Sequence, residues 1–159
     1  MNYRVSILQL SSAFMRDYPE SQYPELMTKQ GRPYTCLLID THDNYLICIP
    51  FRSSIGHNNA YLFTNTVRSR RTRSGLDYSK VVLIQKAEYI DAAQAVVDQD
   101  EYTEMQTHVH EIVEEIVAYI EAYIMHVNGE HPIHRREFER KYKYSTLPYF
   151  HDILGIQNN

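Results

Sequence analysis

The chain has 159 residues, 43% of them hydrophobic and 23% charged, with a formal net charge of −4. At roughly 150 residues per domain this fits one domain, long enough to close a core without a metal or disulfide staple. Five glycines and six prolines exclude a fibrous or low-complexity chain, and no apolar run reaches the roughly 18 residues that span a bilayer. In chain order, residues 5–18 hold a short strand or helix start, and residues 19–31, polar with two prolines, read as loop. Thr35–Ile39 is an apolar run rich in β-formers, Thr41–Asn44 a turn cluster, and Tyr45–Pro50 a second apolar run, so the three together predict a hairpin. Tyr61–Thr64 reads as a third strand and Lys80–Ile84, uninterrupted and β-branched, as a fourth.

Beyond these strands the pattern changes to helix. Asp91 is placed to cap a short helix over Ala92–Val97. From about Tyr102 to Val127, Val109, Ile112, Val113, Ile116, Val117, Ile120, Tyr123, Ile124 and Val127 recur at helical spacing opposite Glu111, Glu114, Glu115 and Glu121. That spacing predicts one long amphipathic helix, closed by Asn128-Gly129, with a further helix after Pro132 running through Lys141. Strands first and helices after is the order of an α+β domain. Met1–Ile7 carries neither a long apolar core nor a cleavage site, so no secretory signal is expected. Cys36 and Cys48, each inside an apolar stretch, fit buried thiols in a soluble, cytoplasmic protein.

The net charge conceals two opposed segments. Residues 50–86 carry Arg52, Arg68, Arg70, Arg71, Arg73, Lys80 and Lys86 against Asp77 alone, a net of +6. Residues 87–130 carry eleven acidic side chains and no Lys or Arg, a net of −11. Local field, more than total charge, selects partners. In the basic segment Arg52 and Ser53 fall just past a strand, His57 follows Gly56 in a loop, and Lys80 opens the next strand. Arg as a bidentate fork, Lys as a point charge and Ser as a donor can hold a phosphodiester, and a histidine can move a proton near neutral pH. RNA cleavage by its own 2′-hydroxyl is the reaction such a set fits. Arg68, Arg70, Arg71 and Arg73 read either as a track for the RNA backbone or as a solvated patch, and Gly75-Leu76-Asp77 as a turn into a strand. His108 and His110, two apart on a helix, point to different faces and make no metal site. The 14 tyrosines include candidates for base stacking, most of them serving as core and interface residues.

The succession Ile49-Pro50-Phe51-Arg52-Ser53, His57-Asn58-Asn59-Ala60-Tyr61, Gly75-Leu76-Asp77-Tyr78-Ser79-Lys80 and Glu88-Tyr89-Ile90 resembles the toxins of type III toxin–antitoxin systems. The resemblance is to their TenpN group, related to ToxN, AbiQ and CptN, and covers roughly residues 30–92. It implies a metal-independent endoribonuclease, needing no cofactor, on a twisted antiparallel sheet flanked by helices, with a core like the MazF and Kid barrel. It also implies a repetitive RNA antitoxin that the toxin processes and that then occupies its groove in an RNA–protein assembly. By that resemblance Arg52, Ser53, His57 and Lys80 are the catalytic set, and Arg32, Asn58, Ser79 and the arginines 68–73 bind RNA. Where the ToxN branch has Thr-Ser-Pro-Lys this chain has Arg52-Ser53-Ser54-Ile55, so that branch's lysine has no counterpart. A rival expectation is an RNA-binding protein without catalysis, gripping phosphates through the basic segment and giving salt-sensitive binding with no cleaved ends. A third is partner docking by the acidic helix.

Overall fold

A computed structural model describes residues 2–28, 32–91, 93 and 95–157. Seven strands form one antiparallel sheet: β1 Arg4–Leu10, β2 Thr35–Asp40, β3 Leu46–Arg52, β4 Ala60–Leu62, β5 Gly75–Asp77, β6 Val82–Ile84 and β7 Ile90–Asp91. Their order is β4-β5-β3-β2-β1-β7, with β6 also on β3, so the sheet is open and does not close into the expected barrel. The helices are α1 Ser12–Asp17, α2 Gln99–Thr107, α3 Val109–Val127, α4 Arg135–Tyr142 and α5 His151–Leu154. The architecture is α+β, as the order of patterns predicts.

The β2–β3 hairpin forms in the register Leu37↔Ile49 and Ile39↔Ile47. Both strands are buried along continuous runs, Cys36–Ile39 and Ile47–Pro50, because other elements cover both faces of the sheet centre. Cys36 and Cys48 are free and buried; the hydrogen bond with Cys36, and then burial, push the Cys48 thiol well above its ordinary value. Helix α3 buries Ile112, Val113, Ile116, Tyr119, Ile120 and Tyr123, and the rings of Tyr119, Tyr123, Phe138 and Tyr142 pack together where α4 lies on it. Two reciprocal bonds fix that contact: the Tyr142 hydroxyl donates to the Tyr119 carbonyl (2.7 Å) and the Tyr119 hydroxyl to the Lys141 carbonyl (3.1 Å). Among the described residues no helix is long and apolar enough to cross a membrane.

Three sequence expectations are corrected. The helix predicted over 102–127 is two helices broken at His108, whose N–H is shared between the carbonyls of Glu104 and Met105, the geometry of a tightened helix end. The short helix over Ala92–Val97 is absent among the described residues; Ala92 and Gln94 lie outside them. Asp91 instead pairs with Gln9 as the last residue of β7, and its carboxylate accepts the Ala93 N–H in an Asx turn. The strand predicted from Lys80 begins only at Val82.

That last difference positions the site. The far edge of β3 pairs with β6 through Leu46–Cys48 and with β5 through Phe51–Arg52. Opposite Ile49 and Pro50 of β3 stand five residues, Asp77–Val81, and the surplus folds outward as the 3₁₀ turn Tyr78–Lys80. Such a bulge re-aims the side chains it carries. Surrounding elements bond its polar backbone: Thr146 N–H and Oγ1 donate to the Ser79 carbonyl, Thr146 Oγ1 also to the Val81 carbonyl, Tyr34 Oη to the Lys80 carbonyl, and Tyr78 N–H to the Asn59 carbonyl. Gly75 is required just before it, since a Cβ there would lie 1.9 Å from the Tyr61 carbonyl oxygen across the β4–β5 pair.

Candidate functional site

Asp77 is the centre of the site. It is 2% exposed, and its Oδ1 accepts from the Ser79 N–H (3.0 Å) and the Ser79 hydroxyl (2.6 Å), the Asx geometry that starts the bulge. The same oxygen lies 3.2 Å from His57 Nε2, and Oδ2 lies 3.6 Å from Arg52 Nη1. One buried carboxylate thus gathers three of the residues picked from the sequence. Its own role was missed there; as the lone acid in a segment of seven basic groups, two before a serine, it carried a readable signal.

The orientation of His57 follows from its bonds. Nδ1 accepts the Asn59 N–H at 3.0 Å, so the proton of the neutral ring resides on Nε2, facing Asp77 Oδ1 and Ser79 Oγ. Arg73 holds this loop: its guanidinium donates to the carbonyls of Ile55 and His57 (both 2.9 Å) and to Asn58 Oδ1 (2.7 Å). Arg73 and Asn58, both expected on RNA, are therefore engaged with each other. Ser79 is likewise engaged with Asp77 and is 5% exposed.

Lys80 sits inside the bulge, 6% exposed, and donates to the Tyr144 carbonyl (2.8 Å) and to Glu25 Oε2 (3.4 Å). Burial draws its ammonium below the ordinary lysine value, opposed by the Glu25 and Asp77 carboxylates. It lies next to Ser79 but is not presented to solvent, contrary to its expected place at the mouth of a strand.

Arg52 links this network to a cavity of about 270 Å³ lined by Arg32, Tyr34, Arg52, Ser53 and Arg68, with Leu26 and Met27 as an apolar wall. Arg52 Nη1 also donates to Met27 Sδ (3.0 Å). Ser53 is exposed, with no hydrogen-bond partner among the described residues, and Ser54 turns the chain after it in a left-handed conformation (φ 56°), its N–H on Thr72 Oγ1. Arg32 is exposed and unpaired among the described residues. Arg68 is paired with Asp98 (3.1 Å) and Glu101 (3.8 Å) of the acidic segment. Arg70 and Arg71 are exposed with no ion pair among the described residues, away from the cavity lining. A larger cavity, about 630 Å³ beside His42, Tyr45, Gln85 and Asp152, contains none of the predicted residues.

The arrangement is a basic, partly apolar cavity that fits a phosphate, joined through Arg52 and Asp77 to a histidine of fixed tautomer. Among the described residues no group of three His, Cys, Asp or Glu is placed to hold a metal ion. The class this defines is an α+β protein with a partly exposed His–Arg pair gathered by one buried aspartate at the start of a sheet bulge. The chain matches no family model, no curated protein and no solved structure.

Proposed function

We propose that the protein is an endoribonuclease toxin of the type III kind that its sequence resembles. The observation that carries this reading is Asp77 holding His57 and Arg52 together beside the arginine-lined cavity. A scissile phosphate in that cavity meets the Arg52 fork, with Arg32 and the Ser53 hydroxyl as further donors; fixed cations of this sort stabilise the charge of a phosphorane. Asp77 keeps the His57 proton on Nε2, so Nδ1 is the base once the Asn59 N–H that it accepts in this structure gives way to substrate; a buried carboxylate orients a catalytic histidine in the same way. His57 Nδ1 takes the 2′-hydroxyl proton, O2′ bonds to phosphorus, the bond to O5′ breaks, and O5′ takes a proton from solvent. The products are a 2′,3′-cyclic phosphate and a 5′-hydroxyl, with no metal in the scheme. Lys80, adjacent in the bulge and held by Glu25 and the Tyr144 carbonyl, anchors the bulge behind the site.

The antiparallel sheet with flanking helices agrees with the coarse α+β architecture the resemblance implies, though the sheet is open and not a closed barrel. Under this reading a repeat RNA antitoxin, cut by the toxin in the cytoplasm, occupies the same groove and blocks it. A second reading, RNA binding without cleavage, is favoured by one feature: the Asn59 N–H occupies Nδ1, the nitrogen that has to act as base. Induced expression separates the two. Wild type is expected to arrest growth and fragment total RNA, and His57→Ala and Arg52→Ala to do neither. Arrest and fragmentation unchanged in both variants overturn the site; intact RNA under wild-type expression favours binding alone.

A further inference from the structure

Helix α4 carries charge that the Arg52–His57 network does not use. Its inner face is Phe138 and Tyr142, packed on Tyr123. Arg136, Arg140 and Lys143, spaced four and three apart, share the opposite face. All three are exposed and, among the described residues, none is in an ion pair, whereas Arg135 is paired with Glu139 at 3.3 Å. Directly after them stands Tyr144, 63% exposed and the single aromatic among the large exposed apolar side chains of the described residues. Lys143 Nζ lies over its ring, 5.4 Å from the centre.

This surface is fastened to the site. Asn59 Nδ2, two residues after His57, donates to the carbonyls of Arg140 (3.4 Å) and Lys141 (3.3 Å). Buried Lys80 donates to the Tyr144 carbonyl at 2.8 Å, and the reciprocal Tyr119–Tyr142 bonds hold α4 on α3. The outer face of α4 and the Tyr144 ring therefore continue the His57 loop as one rigid basic surface ending in an exposed aromatic.

We infer that Arg136, Arg140, Lys143 and Tyr144 form a second binding subsite for single-stranded RNA leaving the Arg52–His57 site. Cations spaced along the path of a backbone, followed by an exposed aromatic ring, are the combination by which unpaired nucleic acid is held: phosphates on Arg and Lys, a base on the ring. A duplex offers phosphates but no free base face, so the subsite distinguishes single from double strands. The inference rests on the RNA-directed reading above and deepens it.

The test uses the full chain and a fluorescent single-stranded oligonucleotide, 2′-O-methylated throughout so that it binds but cannot be cut, titrated by anisotropy at several salt concentrations. Arg136→Ala/Arg140→Ala/Lys143→Ala is expected to weaken binding more than about tenfold and to flatten the slope of log K against log salt by about 2, given ~0.7 per phosphate for single strands. Tyr144→Ala is expected to lose about tenfold with the slope unchanged, and on a duplex to bind as wild type does. Circular dichroism and thermal melting of these surface variants are expected to match wild type. Both variants binding like wild type overturns the subsite while leaving the Arg52–His57 site standing. Equal loss by Tyr144→Ala on single strand and duplex overturns the stacking role. Absence of binding by wild type itself overturns the RNA-directed reading and this inference with it.

Discussion

The basic segment 50–86 and the acidic segment 87–130 look like opposites by charge, yet each uses its charge inwardly for a different purpose. In the acidic segment carboxylates fasten the basic one in place. Glu104, 8% exposed, accepts from the N–H groups of Thr64 and Asn65 and from the Tyr61 hydroxyl. Asp100 accepts the Val67 N–H, Asp98 and Glu101 pair with Arg68, and Glu115 accepts from the Tyr78 hydroxyl. In the basic segment the single acid, Asp77, gathers Arg52, His57 and Ser79 into a site. Seven basic groups against one acid therefore overstates the free charge: Arg68 is neutralised, Arg73 is engaged with loop carbonyls, and Lys80 is buried. The cations left for a ligand around the cavity are Arg52 and Arg32, with Arg70 and Arg71 further out.

The contrast breaks most severely at Asp77. Replacing it with Ala leaves the Arg52 guanidinium, the Ser79 N–H and the His57 ring without their partner, and losing one side of a buried charge pair costs about 3 kcal/mol. Urea unfolding is expected to show that loss, and RNA cleavage to fall with it; a loss under about 1 kcal/mol contradicts the central place given to Asp77. Glu104→Ala comes next. It strips two backbone amides and a hydroxyl of a buried acceptor, a cost of about 2 kcal/mol. Hydrogen exchange is expected to accelerate at the Thr64 and Asn65 amides while the Asp77 network keeps its protection; unchanged exchange at those amides contradicts the fastening role.

The smallest effect near neutrality grows with alkali. Burial, then hydrogen bonds to Glu104 and Glu115, push the Tyr61 and Tyr78 hydroxyls well above the ordinary tyrosine value. Unfolded tyrosines ionise near pH 10 while these stay neutral in the fold, so the unfolded state releases protons first. The stability they contribute is complete below about pH 10 and is lost as pH rises above it. Urea midpoints are expected to hold up to that point and fall beyond it, with less fall in the Tyr61→Phe/Tyr78→Phe variant.

How far this was readable in the sequence depends on whether local pattern or long-range pairing decides. The β2–β3 hairpin was legible because two apolar runs flank a polar turn cluster, and Asn128-Gly129 because a helix end needs a residue that tolerates the left-handed conformation, as Gly129 does (φ 75°). The break at His108 was not, since the apolar spacing runs on through Met105, Val109 and Ile112. Ala92–Val97 looked helical by composition, but pairing of β7 with β1 overrides that preference and leaves Val96 81% exposed. At the site Arg52 and His57 were found by type and position. Lys80 was misplaced because the three surplus residues of the bulge exist only relative to β3, and Asp77 was read as a turn because its partners lie 20 and 25 residues earlier.

We propose that the Asp77-centred site cuts RNA with the RNA's own 2′-hydroxyl. The most direct measurement is the chemistry of the ends left when purified protein meets end-labelled single-stranded RNA in the presence of a chelator. Fragments ending in 2′,3′-cyclic phosphate and 5′-hydroxyl, produced by wild type and abolished in Arg52→Ala, are the expected result. Intact RNA, or fragments bearing 5′-phosphates, contradicts it.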